Sequence, residues 1–245
     1  MLADQVLDKA FKILRRNYGC PGLDGLSIKE IKRDFDFHKA VVLEKYNTAS
    51  INILPIKKVR ILDYSDKLRS VFVYCLYERW LQMCLKLQLA QKVNNCLASY
   101  VFGYRPGFDM EMLKKYIKMF GKKYVLHLDL EKYFDSINRE VLLKQMETQL
   151  NVEDFILTRV NQSLSHINYG LPRGNALSPV LSNMYLSRFD MQFKDSYARF
   201  SDDLFFTFDK VNERDVIINE ITPELRNLGL SINFQKTEVQ HADKF

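Results

Sequence analysis

The chain has 245 residues, 47% hydrophobic and 13% aromatic, enough apolar material for a large core in one extended domain or two modest lobes. Its most apolar stretch, Val71 to Leu89, is broken by Glu78, Arg79 and Lys86, so it reads as a buried helix rather than a membrane span. Net charge is +6, from 36 basic and 30 acidic residues, a mild excess compatible with nucleic acid. Basic groups gather at Arg15-Arg16, at Lys57, Lys58 and Arg60, and at Lys114, Lys115, Lys118, Lys122 and Lys123. Cys20, Cys75, Cys84 and Cys96 show no C-x-x-C spacing, and the opening Met-Leu-Ala-Asp-Gln lacks a signal-peptide layout. A cytoplasmic chain with reduced thiols and no membrane partner is expected.

In chain order, residues 3–16 place Val6, Leu7, Ala10, Phe11 and Leu14 at helical spacing. Gly19, Pro21, Gly22 and Gly25 then enforce a loop, and Ser27 is the expected N-cap of a helix from Ile28. A hairpin is expected over 51–62, pairing Ile51–Ile56 with Val59–Leu62, followed by a long helix from about Asp66 to Val93 with Trp80 in its core face. Gly103 and Pro106-Gly107 mark a turn before a helix through Lys118. The second half predicts a strand over 123–130, a helix from near Asn138 and another over 152–164. Ser178 then caps a helix that has Pro179 at its first position and carries Leu181, Tyr185 and Phe189. A hairpin over 197–208, a helix over 211–228 and a closing strand from Leu230 to Phe234 complete the pattern. The expected class is α+β, an antiparallel sheet packed on helices.

Three carboxylates stand out against this background. Asp129 ends the β-favouring run Tyr124-Val-Leu-His-Leu-Asp129, and Asp202 and Asp203 interrupt Tyr197-Ala-Arg-Phe-Ser-Asp-Asp-Leu-Phe-Phe-Thr-Phe208. An ionised carboxylate beside apolar strands is unfavourable by several kcal/mol unless a positive group meets it (roughly,). Paired strands lie about 4.8 Å apart. Asp129 and Asp202 on such a pair would come close enough to share cations held about 3.5–4 Å apart, as in a two-metal site. Asp-Asp in a hairpin by itself is ordinary turn chemistry; its coincidence with the other motifs gives it meaning.

Those motifs run in order. Asn17-Tyr-Gly-Cys-Pro-Gly-Leu-Asp-Gly25, Lys57-Lys-Val-Arg-Ile61 and Ser99-Tyr-Val-Phe-Gly-Tyr-Arg-Pro-Gly107 precede Asp129-Leu-Glu-Lys-Tyr-Phe-Asp135. Gly170-Leu-Pro-Arg-Gly-Asn-Ala-Leu-Ser-Pro179, Phe200-Ser-Asp-Asp203 and Leu228-Gly-Leu-Ser-Ile-Asn-Phe-Gln-Lys-Thr237 follow. Together they resemble the blocks of bacterial reverse transcriptases, the kind found in group II introns, retrons and phage-defence systems. The resemblance implies a right-hand polymerase, with fingers over 1–122 and a palm over 123–245. It implies an RNA-directed DNA polymerase that adds dNTPs to a DNA or protein primer on an RNA template, with antiviral defence as one setting.

Residue by residue, the resemblance makes Asp129, Asp202 and Asp203 ligands of two Mg²⁺ ions, with Mn²⁺ as a substitute and the Leu130 backbone beside them. Arg60 and either Lys57 or Lys58 would clamp the triphosphate. Phe134 matches the gate that excludes a 2′-hydroxyl, Gly174 shapes the loop before the Ser178 helix, and Lys236 is a candidate acid for departing pyrophosphate. Arg105 matches an arginine near the template. Arg173 stands where the commonest pattern has glutamine, which changes reach and charge at the template. The Asn-Ala-x-x-His block associated with retron enzymes is not found. Nor is a primer grip and thumb evident after Thr237: the alternatives are a fragment, a thumb supplied by another chain or domain, or a polymerase that works without one. Two further readings are a catalytically silent RNA-binding scaffold that keeps the fold and an enzyme of untemplated or protein-primed DNA synthesis.

Overall fold

The computed structural model describes residues 3–16, 20–48, 56–62 and 68–245. Helices α1 (Asp4–Leu14), α2 (Ile28–Arg33) and α3 (Phe35–Thr48) are followed by strands β1 (Lys57–Leu62) and β2 (Leu68–Val73) and by helix α4 (Leu76–Cys96). Next come α5 (Met110–Met119), β3 (Tyr124–Asp129), α6 (Tyr133–Ser136), α7 (Arg139–Leu150), α8 (Asp154–Leu164) and α9 (Ser178–Asp190). The chain ends with β4 (Tyr197–Phe200), β5 (Asp203–Phe208), α10 (Glu213–Asn227) and β6 (Glu238–His241). Two compact units share these elements: residues 1–92 with 151–178, and residues 93–150 with 179–245.

In the first unit, Ser27 caps α2 as expected, through a full capping box in which the Ser27 hydroxyl accepts from the Glu30 amide. Its core stacks Phe11, Phe35 and Trp80, with ring centroids 4.6–5.7 Å apart, and the buried Trp80 indole donates to the Leu7 carbonyl at 2.9 Å. Arg159 lies buried at the end of α3, where it donates to the carbonyls of Lys45 and Tyr46 that a helix C-terminus leaves unpaired. The expected hairpin is corrected. Residues 59–62 do form a strand, but it begins at Lys57 and pairs antiparallel with Leu68–Val73. The expected partner segment, 51–55, lies outside the described residues. The long helix therefore starts at Leu76 rather than Asp66, because its expected first turns belong to β2.

The Gly170–Ser178 loop is fastened to β2 within this unit. The Phe72 amide donates to the Arg173 carbonyl at 2.8 Å. Gly174 has φ +101°, and a Cβ there would lie 2.1 Å from the Phe72 carbonyl oxygen. Only glycine meets both conditions. Helix α9 begins at Ser178, whose hydroxyl donates back to the Pro172 carbonyl at 2.7 Å, with Pro179 in the first turn.

The second unit holds an antiparallel four-stranded sheet in the order β4-β5-β3-β6. Leu126, Leu128, Leu204 and Phe206 are buried in it, as are Met184, Tyr185 and Phe189 of α9. The 197–208 hairpin forms as expected, with Phe200 paired to Asp203 across a two-residue turn of Ser201 and Asp202. The expected strand at Leu230–Phe234 is corrected: that segment makes a single bridge, Ile232 to Leu130, then a 3-10 turn at Phe234–Lys236. The fourth strand is Glu238–His241, on the sheet edge. A polar edge strand needs no apolar alternation, which is why the pattern misplaces it.

Candidate active site

Register determines which carboxylates meet. Strand β3 pairs antiparallel with β5 so that Asp129 stands directly opposite Asp203. Asp202 occupies the adjoining turn, where Ser201 carries the positive φ, +61°, that a tight hairpin needs at its first central position. The three carboxylates thus share one end of the sheet. The direct cross-strand partner of Asp129 is Asp203.

Electrostatics reflect that crowding. The Asp202 carboxyl is held above the usual carboxylate range, first by burial and then by the negative charge of Asp203, with Asp129 adding to it. Two basic side chains meet the other carboxylates. Lys236 Nζ donates to both oxygens of Asp129, at 2.7 and 2.9 Å, and Asn233 Nδ2 donates to Oδ2 at 3.0 Å. His127 Nε2 lies 2.7 Å from Asp203 Oδ1, its ring stacked on Phe205 at 4.8 Å, with Glu238 3.6 Å from Nδ1. The Asp203 hydrogen bond raises the His127 pKa despite partial burial. Among the described residues no three His, Cys, Asp or Glu side chains are already gathered into one metal-holding group. The donor chemistry nevertheless fits a hard divalent cation: carboxylate oxygens on three residues at one end of the sheet, a mutual repulsion at Asp202 that a cation would relieve, and the Leu130 backbone beside them.

The turn is held from behind by a buried polar network that sequence reasoning missed. Arg199 and Asp190 are fully buried and pair through two hydrogen bonds, at 2.8 and 2.7 Å. Arg199 Nη1 also donates to Asn183 Oδ1 at 3.0 Å and to the Ser201 carbonyl at 2.8 Å. Tyr197 donates its hydroxyl to Asp190 at 2.8 Å. Gly103 presses on the same turn, since a Cβ there would lie 2.2 Å from the Ser201 nitrogen. The one available signal was an arginine inside a run of β-favouring residues, between Ala198 and Phe200.

The remaining expected residues are placed as follows. Phe134 is half-buried on α6, edge-on to Tyr133 at 5.9 Å and to Tyr104 at 6.3 Å. In the other unit, Lys57 and Arg60 are exposed on β1; strand alternation puts Lys58 and Arg60 on one face and Lys57 on the opposite one. Lys58 also lies over the Phe72 ring at 5.8 Å. Arg173 is half-buried beside Gly174. Arg105 turns inward, donating to Asn94 Oδ1 and to the carbonyls of Ala98 and Val101, and stacks on Phe108.

The chain is similar to curated proteins and to solved structures. Protein YkfC of Escherichia coli (strain K12) is 23% identical over 193 residues, which cover 72% of this chain and 51% of that protein. A putative COX1/OXI3 intron 2 protein of Saccharomyces cerevisiae is 23% identical over 189 residues, 71% of this chain and 21% of that protein. The chain spans about half, or less, of the length of these curated relatives. Among solved structures, apo telomerase from Candida tropicalis, truncated from its C-terminal domain, superposes with a TM-score of 0.60 at 13% identity, over 85% of this chain and 55% of that one. Telomerase from Candida albicans bound to a fragment of telomeric RNA gives 0.55 at 14% identity, over 82% and 45%. These likenesses are of fold, and the fold is the α+β fingers-and-palm kind. The model described as "Reverse transcriptase (RNA-dependent DNA polymerase)" matches residues 56–245, and the chain belongs to that family.

Proposed function

We propose that the chain is the catalytic region of an RNA-directed DNA polymerase that extends a primer by nucleotidyl transfer. The observation that carries this is the register of Asp129 opposite Asp203, with Asp202 in the adjoining turn, in a chain of the reverse transcriptase family. In the reaction the primer 3′-oxygen bonds to the α-phosphorus of a dNTP, and the bond from that phosphorus to the bridging oxygen breaks, releasing pyrophosphate. Asp129, Asp202, Asp203 and the Leu130 carbonyl would hold two Mg²⁺, or Mn²⁺, in this role. When bound, such ions polarise the attacking hydroxyl and the phosphates. Arg60 with Lys57 or Lys58 positions the triphosphate, and the face shared by Lys58 and Arg60 favours Lys58. Lys236 donates a proton to the departing pyrophosphate. Phe134 excludes a 2′-hydroxyl by filling its place, and Arg173 and Gly174 shape contacts to template. The proposed division into fingers, 1–122, and palm, 123–245, is a boundary along the sequence.

RNA template, a DNA or protein primer, dNTPs and a thumb from another segment or chain complete the proposed assembly, and antiviral defence is its proposed setting on family resemblance. The fold likeness to telomerase structures, two of them bound to a fragment of telomeric RNA, supports an RNA partner. A second reading, an RNA-binding scaffold without catalysis, is favoured by one observation: the Lys236 ammonium takes both oxygens of Asp129. Labelled dNTP incorporation on a primed RNA template decides between them. Incorporation that disappears in Asp202→Ala/Asp203→Ala while RNA binding persists supports the enzyme; an unmodified chain that binds RNA and incorporates nothing supports the scaffold.

A further inference from the structure

Resting on the reading of Phe134 as the sugar gate, we propose that Tyr104 is a positioning residue for nucleotide specificity, its ring bracing Phe134 in the excluding position. A steric gate discriminates only as well as its ring refuses to move. One side of Phe134 is fixed locally. Its neighbour Tyr133 is buried, donates its hydroxyl to the Ser182 carbonyl at 2.6 Å, and meets the Phe134 ring edge-on at 89°. Lys132, with φ +46°, sets the entry into the short helix that carries both rings.

The other side of Phe134 meets Tyr104, at an interplanar angle of 81° and a centroid distance within the range of favourable aromatic pairs. Two features mark Tyr104 as more than a surface tyrosine. It is 47% exposed, so burial alone does not account for its position. It also sits at φ +57°, a conformation unfavourable for a bulky side chain and kept only where the surroundings impose it.

Those surroundings are visible on both sides. The Gly103 carbonyl accepts from Asn183 Nδ2 at 2.7 Å, and its Cα packs too close to Ser201 for any side chain. On the other side, Arg105 is tied to Asn94, Ala98 and Val101. The loop that presents Tyr104 is thus fastened to the turn that carries Asp202, which links the gate's brace to the catalytic carboxylates.

The test measures kcat/KM for a dNTP and its matching ribonucleotide with the full chain, an RNA template and a DNA primer. Tyr104→Gly suits the positive φ and so avoids backbone strain. Its ribonucleotide-to-deoxynucleotide ratio is expected to rise about three- to tenfold, the scale of one edge-on aromatic pair. Tyr104→Phe keeps the ring and is expected to keep the ratio. Phe134→Ala is expected to relax selection further, and adding Tyr104→Gly to it should change nothing more. If Phe134→Ala relaxes selection and Tyr104→Gly does not, or lowers both substrates equally, the brace is refuted while the gate stands. If Phe134→Ala leaves the ratio unchanged, or the unmodified chain incorporates neither nucleotide, the gate reading fails and the brace falls with it.

Discussion

Replacing Arg199 by methionine tests whether the buried pair beside the Ser201-Asp202 turn acts as a unit. The substitution keeps comparable length and removes hydrogen bonds to Asp190, to Asn183 Oδ1 and to the Ser201 carbonyl. Asp190 is fully buried, so its carboxylate would lose its cation with no access to solvent and keep only neutral donors such as Tyr197. Breaking one partner of a buried pair costs about 3–5 kcal/mol. At about 2–4 °C per kcal/mol for a chain of this size, the melting temperature should fall by about 6–20 °C. Asp190→Leu with Arg199→Met strands no charge and should be more stable than either single variant. Thermal melts followed by circular dichroism supply the double-mutant cycle. The double variant should still incorporate dNTPs poorly, because the Ser201 carbonyl has lost its donor and the turn its rear support. Single variants within about 0.5 kcal/mol of the parent, or a double variant as unstable as the sum of the singles, would refute the reasoning.

Further substitutions probe backbone strain and a buried carboxyl. Gly174→Ala meets both a positive φ and the Phe72 carbonyl, whereas Gly107→Ala meets a φ of +81° with nothing within 4 Å. Denaturant titration should show Gly107→Ala losing about 1–3 kcal/mol of strain and Gly174→Ala clearly more; equal losses would mean that the β2 contact is soft. Burial holds the Glu78 carboxyl above the usual range, partly offset by Lys45 and Arg159. The folded state therefore binds this proton more tightly than the unfolded state, and stability falls as pH rises from the ordinary carboxylate pKa through the folded-state value. Glu78→Gln should raise the melting temperature more at pH 7 than at pH 5, and a gain independent of pH would contradict this account.

The carboxylates were legible because charge inside a β-favouring run is conspicuous, and both of their strands were found. What sequence could not give was register: the side chain opposite Asp129 depends on where β3 and β5 pair, and only the structure names Asp203. Punctuation explains the misplaced elements. Strand Leu68–Val73 passes into helix Leu76–Cys96 through Tyr74-Cys75, with no glycine or proline to mark the change, so one apolar run concealed two elements. The segment Leu230-Ser-Ile-Asn-Phe234 alternates like a strand yet makes only one bridge, because its polar groups attach to the site instead. The Asn233 amide donates to the Asp129 carbonyl and its side chain to the carboxylate.

The turn that carries Asp202 keeps its shape through its neighbours. A two-residue hairpin turn with a non-glycine residue at positive φ is not rigid in isolation, and Ser201-Asp202 contains no glycine. Its order must come from outside the hairpin. Three contacts supply it: the Arg199 guanidinium on the Ser201 carbonyl, the glycine-only approach of residue 103, and the Asn183 amide that holds Gly103 in place. Asn183 accepts from Arg199 through Oδ1 and donates to Gly103 through Nδ2, so one amide on α9 ties both supports together. The turn is therefore an assembly of three chain segments, and its geometry is decided by residues that need never touch a substrate.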